Sequence, residues 1–534
     1  MAVIPARGST HRLGRRVPAR PTIRTSLRLA AWLAAAAIAL AVGAVGCRGA
    51  PPPQAGTGRR VAEGQVLALR PSPDGAFLAF LDRCQPQKDR TLPPGTASCD
   101  LSVVPAAGGE RMAVAKGVTT LPPGFAWSGQ GHALAALEGY DHVKGAGALV
   151  VWSGGAPRRL AEEVSFYAFS RDGARVGYAA AGRLFLAVGS AAPGEIAGAE
   201  GVTSFEFGGP GGDELLARRS TRSGGELLAI RGGRAAPLAP AVRDYGYARD
   251  GARFAFTSGT LLALAILPAG ATHAPPALAR DVQTFLFAPA GDAIAWVADA
   301  APGRQGDLWA APLAGATPVR LGQRVGEPRW SAQGGRLAWL QDYDPRGRTG
   351  TLTVGGFGSK PLSLAKNVSD FDLTADGRTA AFLHHETAGG YSVDLGLAHV
   401  DDHTRAEAVA KGVFGFSFSP DARWLYYRSA CVRDGDACDL FRVGAGTDAK
   451  KPELVAEGVK SFEYAPGMPE RLLVSWARKD RVALDLAVWE AGKLTAIDTH
   501  ALPGSVRFLG GDPRRLAYAV VEPKRQGVYV AALP

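Results

Sequence analysis

The sequence predicts an all-β fold, a β-propeller of about eleven four-stranded antiparallel blades. Three observations carry this expectation. The phrase "aromatic-x-aromatic, small polar turn, apolar run" recurs along the chain from residue 69 onward. Its period matches four short strands and their turns. Each end of the repeat region also holds part of a unit that the other end completes.

The first strand of each unit is seen in "YAFSRDGARVGYAA" from 167, "YGYARDGARFAFTS" from 245 and "FSFSPDARWLYYR" from 416. It alternates apolar and polar residues, as a half-buried strand does. The residue before the turn is Leu69, Trp127, Phe169, Phe207, Tyr247, Phe287, Trp330, Leu373, Phe418, Tyr464 and Phe508 in the eleven copies. After a first gap of 58, the spacings run from 38 to 46. The turn has a physical logic. Pro fits the first central position, Asp accepts a hydrogen bond from the turn's own backbone, and Gly supplies φ > 0. Asp74, Asp172, Asp250, Asp376 and Asp421 therefore recur for backbone reasons rather than catalytic ones. The aromatic residues 127, 169, 207, 247 and 287 read as core rather than as a ligand box. The second strand is "RLAWL"-like and the third is "DLWAAPL" or "DLFRVG". The fourth is "RRLAEEV" or "PELVAEGV", ending in Val just before the next aromatic strand.

Eleven blades exceed the four to eight usual in one ring. Two rings, six plus five or five plus six, are the first arrangement to consider. A lengthening of the spacing after Phe287 places their seam so that blades 1–6 fill 58–315 and blades 7–11 fill 316–534. One oversized ring is the alternative. "GRRVAEGQV" at 58–66 reads as a fourth strand ahead of the first copy, and "GVYVAAL" near the end is a third strand lacking its fourth. A ring closed by both termini would pair them.

"PSPDG" at 71–75 and "SPDA" at 419–422 resemble the core of the WD40-like, TolB-type propeller repeat. The resemblance covers residues 58–534 and implies the propeller fold. It also implies a partner associated with peptidoglycan or the outer membrane. The chain shows no counterpart to the separate N-terminal domain of TolB, so the Tol–Pal role is not carried over.

Residues 1–46 read as a signal peptide. Seven arginines and no acid (Arg7, Arg12, Arg15, Arg16, Arg20, Arg24, Arg28) precede "LAAWLAAAAIALAVGAVG" and Cys47. "AVGC", Ala44 to Cys47, resembles the lipobox of bacterial lipoproteins, which implies lipid attachment at Cys47. The alternative is an uncleaved anchor. Eighteen apolar residues span ~27 Å as a helix, just short of the ~30 Å hydrocarbon core. Residues 47–57 are a Pro- and Gly-rich tether. Arg48 follows the cysteine, which by the rule of enteric bacteria implies the outer membrane; an inner-membrane anchor facing the periplasm is the alternative. The leader also explains most of the net charge. Of +11, seven charges belong to those arginines, leaving 11 − 7 = +4 for the rest. That excludes an electrostatic case for nucleic-acid binding.

Four of the five cysteines pair by position. Cys84 closes a second strand and Cys99 opens a third; Cys431 and Cys438 do the same, and both second cysteines begin "C-D-L". Two local disulfides, Cys84–Cys99 and Cys431–Cys438, are expected in an oxidising compartment. A metal is not expected. "HVDDH", His399 to His403, reads as a polar turn, and His384 and His385 fall at the opposite end of the same hairpin. "RDGDACD" at 433–439 lacks EF-hand spacing. No G-x-S-x-G elbow is present, and no alternating β-α region is left for a hydrolase domain. No catalytic residue and no cofactor are expected. The functional expectation is a lipid-anchored scaffold that binds another envelope protein. The alternative is a hydrolase or lyase acting on glycan or peptide in the propeller mouth.

Overall fold

The computed structural model describes residues 56–533, except 88–90, 123, 210, 213, 222–223, 261, 272, 274–275, 300–304, 316, 386–392, 401–405, 433–436, 447–450 and 479–481. These residues lie in one compact unit. They form strands without any helix, and consecutive strands pair antiparallel. The eleven expected blades are present. Blade 1 is Val66–Pro71, Phe77–Pro86, Ala97–Pro105 and Met112–Thr119. Two long strands, Arg158–Phe169 and Leu362–Leu373, each serve as the fourth strand of one blade and the first of the next. In blade 5 a single bridge, Leu264 to Ala279, stands where a fourth strand would.

The last blade is completed from the other end of the chain. Arg59–Glu63 pairs with Gly527–Ala532, as the two incomplete segments imply. The cores agree. A blade has two apolar faces and cannot cover both alone, so each must meet a neighbour. The buried clusters each join one blade to the next, and Leu78 and Phe80 of blade 1 pack with Leu509, Ala517 and Ala519 of blade 11. Of the two arrangements left open by the sequence, these contacts follow the single ring closed by the termini. The expected division at 315/316 falls in the turn between the third and fourth strands of blade 6. The core continues across it, from Ala295 and Leu308 to Val325 and Trp339.

The register of blade 1 differs from the expected one. Ser72 N–H bonds Phe77 O at 2.8 Å, as Ser128 N–H bonds Ala133 O at 2.8 Å and Ser170 N–H bonds Arg175 O at 3.0 Å. The residue before the turn is therefore Pro71, not Leu69. Leu69 fills the slot two residues earlier, where other blades carry their first aromatic. Proline lacks the large side chain that fills this position in the other blades, so the pattern alone points to Leu69.

The turns behave as their chemistry dictates. Asp172 Oδ1 accepts the Ala174 N–H at 3.1 Å and the Ser170 hydroxyl at 2.5 Å. Those hydrogen bonds, the serine's foremost, hold its carboxyl below the usual range. Asp250 and Asp376 accept equivalent N–H groups, from Ala252 at 2.9 Å and Arg378 at 3.0 Å. The opposite corner, where the fourth strand hands over to the next blade, also repeats. A residue with positive φ precedes a buried valine in Glu163–Val164, Ala241–Val242, Arg324–Val325 and Asn367–Val368. Glycine takes that place before Val202, Val413 and Val459. Alanine at φ 52° pays a steric cost that glycine avoids. Ala241→Gly is expected to stabilise the protein by about 0.5 kcal/mol, the left-handed cost less the extra freedom glycine gives the unfolded chain. A denaturation midpoint unchanged or lowered by the substitution would contradict this account of the corner.

Candidate functional site

The first strands line the axis, because they reach one another across blades. Trp127 Nε1 donates to Arg70 O at 3.0 Å, Trp330 Nε1 to Leu286 O at 3.3 Å, and Tyr464 OH to Ser417 O at 3.0 Å. In each case the aromatic before the turn faces the preceding blade. Phe169 and Phe207 likewise sit in the cores joining their blades to the ones before. These aromatics are core, as the sequence implies. The residue between them faces the following blade: Arg70 Nη1 donates to Phe125 O at 2.7 Å and Arg329 Nη1 to Phe371 O at 2.5 Å.

That middle position carries the chemistry of the lumen. It holds Arg70, Glu206, Arg329, Asp372, Glu463 and Arg507, with small residues or Leu286 in the other five blades. Eleven sheets at the usual ~10 Å spacing leave roughly 20 Å between opposing backbones. The surrounding protein pushes the carboxyls of Glu206, Asp372 and Glu463 above the usual range, with Arg507 opposing the shift at Glu463, although Glu206 alone of the three is partly buried and the side chains of Asp372 and Glu463 meet solvent. The same surroundings lower the Arg70 guanidinium. No two of the three carboxylates stand on adjacent blades, so no tightly paired acid and base is assembled from them. Sequence reading passed over this ring because a column of variable residues between aromatics looks like ordinary alternation. Only the alignment of turns shows that the charges share one level.

A raised folded-state pKa means that the fold favours the protonated carboxyl. Its ionised form therefore opposes folding at neutral pH, and that opposition fades as pH falls from the raised folded value towards the unfolded value near ~4, below which it is gone. Glu206→Gln is expected to raise the denaturation midpoint at pH 7, with the gain shrinking towards zero at acid pH. A gain that persists at pH 3, or a loss at pH 7, would refute the assignment.

The hairpins joining second to third strands, and the corners joining fourth to first, share one face of the ring. Both expected disulfides form at the bases of such hairpins. Cys84–Cys99 and Cys431–Cys438 each bring their Cα atoms to 4.0 Å. The residues before the first cysteines, Arg83 and Ala430, both take positive φ, at 48° and 50°. That places the same bulge in both hairpins. The shared "C-D-L" serves the same end: Leu101 and Leu440 are core, while Asp100 pairs with Arg83 at 3.1 Å and Asp439 Oδ1 takes the Gly458 N–H at 3.1 Å. The same face exposes large apolar side chains: Val143 at 90%, Val432 at 57% and Phe414 at 54%.

His399 pairs across its hairpin with Thr379 and His384 with Asp394, so the histidines do occupy opposite ends. Asp401, Asp402 and His403 lie outside the described residues, as do 433–436 and Cys47. Among the described residues, sequence reading also missed a triad of buried Asp498 and Tyr518 with half-buried Arg525, and an Asp82–Arg111 pair beside the first disulfide.

No protein-family model matches the chain, and no curated protein does. Solved structures align with it at low similarity. One described as the eukaryotic initiation factor aligns at TM-score 0.41 and 16% identity, over 66% of this chain and 93% of that one. The tricorn protease aligns at 0.24 and 12%, over 88% and 57%. The β-propeller domain of Cps50 (Swd1) from Myceliophteria thermophila aligns at 0.27 and 14%, over 52% and 96%. These likenesses concern fold alone.

Proposed function

We propose that this chain is an exported, lipid-anchored β-propeller that serves as a docking scaffold for another protein of the bacterial cell envelope. The observation that carries the reading is the hairpin face. Two of its hairpins are stapled by disulfides, and its corners and tips present Val143, Phe414 and Val432 to solvent. Exposed apolar groups on rigid supports favour association. The lipid would be carried by Cys47, and the tether that follows it, up to the point where Thr57 docks on Ile497, would leave the ring free to meet a partner bound to peptidoglycan or the outer membrane.

The test is capture from crosslinked envelopes. Wild type is expected to retain a specific protein, the double variant Phe414→Glu/Val432→Glu to lose it, and Cys47→Ala to leave the membrane fraction. Equal capture by wild type and the double variant would end the docking reading. The second reading, an enzyme of the mouth, is favoured by the raised carboxyls of Asp372 and Glu463, two blades apart. It requires turnover of a glycan or peptide by the purified chain that is abolished in Glu463→Gln.

A further inference from the structure

A cleft of about 550 Å³ opens on the hairpin face, between Gly64–Gln65 and the sheet of blade 1. Asp82, Arg83, Arg111, Cys84 and Leu67 line it. A second hollow of about 520 Å³ shares Gln65, Leu67 and Cys84 with it and continues along Pro86, Leu92, Pro93 and Pro94. The two form one groove, charged at one end and apolar at the other. The disulfide Cys84–Cys99 stands at the junction.

The charged end is built. Arg111 is bound to the Asp82 carboxylate, donates Nε to Ser102 Oγ at 3.1 Å, and lies over the Phe80 ring at 5.2 Å. Arg83 is held by Asp100 at 3.1 Å. Arg111, fixed in this way, and the more exposed Arg83 beside it present guanidinium donors in planar forks, the geometry that takes a carboxylate. Asp82 is 3% exposed, and its Oδ1 has no hydrogen-bond partner; Arg83 Nε lies 3.9 Å from it. A buried acceptor left without a donor is costly. An incoming N–H, reached as the exposed Arg83 side chain shifts, would satisfy it.

We propose that this groove binds the carboxy-terminal end of a polypeptide whose last residues are apolar. The terminal carboxylate meets Arg111 and Arg83, the amide N–H of the last residue meets Asp82 Oδ1, and the apolar side chains lie along Leu67, Pro86, Leu92 and Pro94. A fatty acid would offer the carboxylate and the chain but no N–H. The assignment rests on the reading of this face as a docking surface, and names the part of the partner that the groove takes.

The purified full chain, immobilised, is exposed to a randomised pool of heptapeptides with free carboxyl termini and to the same pool amidated. Retained peptides are identified by mass spectrometry. The free-acid pool is expected to be retained with apolar last residues enriched, and the amidated pool to wash off. Arg111→Gln and Arg83→Gln are each expected to weaken retention ten- to a hundredfold, the range of a charge-assisted contact. Arg83, 60% exposed along its side chain, provides the variant least able to disturb folding. Equal retention of both pools, retention of neither, or decanoate binding as tightly as the retained peptides would overturn the assignment. If the peptides fail while Phe414→Glu/Val432→Glu still loses its partner, the groove is wrong and the docking face stands.

Discussion

Asp498→Ala is expected to destabilise the propeller by about 3–5 kcal/mol, the cost of leaving a buried ion pair half made. Asp498 is fully buried. Its two oxygens accept Arg525 Nη2 at 2.6 and 2.7 Å, and Oδ2 accepts the Tyr518 hydroxyl at 2.7 Å. Burial and the adjacent carboxylate push the Tyr518 hydroxyl pKa upward, so it stays a donor. The entering chain lies directly on this triad. Thr57 N–H and its hydroxyl both reach Ile497 O at 3.1 Å, and a β-carbon at Gly58 would fall 2.1 Å from the Tyr518 hydroxyl. The triad thus supports the segment that goes on to pair with Gly527–Ala532 and complete blade 11. Glu162→Ala is the control. It removes a pair with Arg159 whose side chains are 52% and 63% exposed, and its cost is expected to stay below about 1 kcal/mol. Chemical denaturation compares the two. Equal losses would mean that the triad does not secure the closing strand.

The repeat, the four-strand unit, the terminal pairing and both disulfides were legible because each rests on local chemistry. Turn residues, alternation and the placement of cysteines at hairpin bases leave their mark within fifteen positions of sequence. The Val at each corner was legible for the same reason, although the positive φ before it was not. Glu163, Ala241 and Arg324 are poor residues for that conformation, and nothing in their identity announces it. The ring count was not legible either. Strand patterns say that a blade needs two neighbours, and both six plus five and eleven satisfy that need. The contacts of blade 11 with blade 1 and of blade 6 with blade 7 separate them.

The groups with chemistry were the hardest to see. Asp82 and Arg111 are 29 positions apart, joined by a blade's width rather than by a motif. Asp498 and Arg525 are 27 apart, on successive blades. The lumen charges lie one to a blade, forty-odd residues from one another. Each needed the fold first. The recurrent aspartates of the turns were conspicuous in sequence and proved to be backbone ligands.

Gly75→Ala is expected to cost about 1–3 kcal/mol more than Gly259→Ala, although both glycines have nearly the same backbone, at φ 70° and 74°. The conformational cost of an alanine in the left-handed region is therefore common to both, about 1 kcal/mol. The space differs. Nothing lies within 4 Å of a β-carbon at Gly259. At Gly75 the β-carbon would sit 2.7 Å from the Gly510 nitrogen and 2.9 Å from its Cα, both backbone atoms that cannot turn aside. Gly75 belongs to the first turn and Gly510 to the last, so the clash falls between blade 1 and blade 11, the one blade whose third and fourth strands are not joined by a turn. In every other blade the chain itself ties the third strand to the fourth; here strand pairing alone does so, and the ring opens by unpairing Arg59–Glu63 from Gly527–Ala532, which exposes Leu78 and Phe80. Overpacking there is expected to add ~1–3 kcal/mol and to speed tryptic cleavage after Arg59 and Arg60, which the closed seam holds in a strand. If the two variants lose equal stability and are cut at equal rates, the first and last turns do not meet, and the ring is not closed where the strand pairing places it.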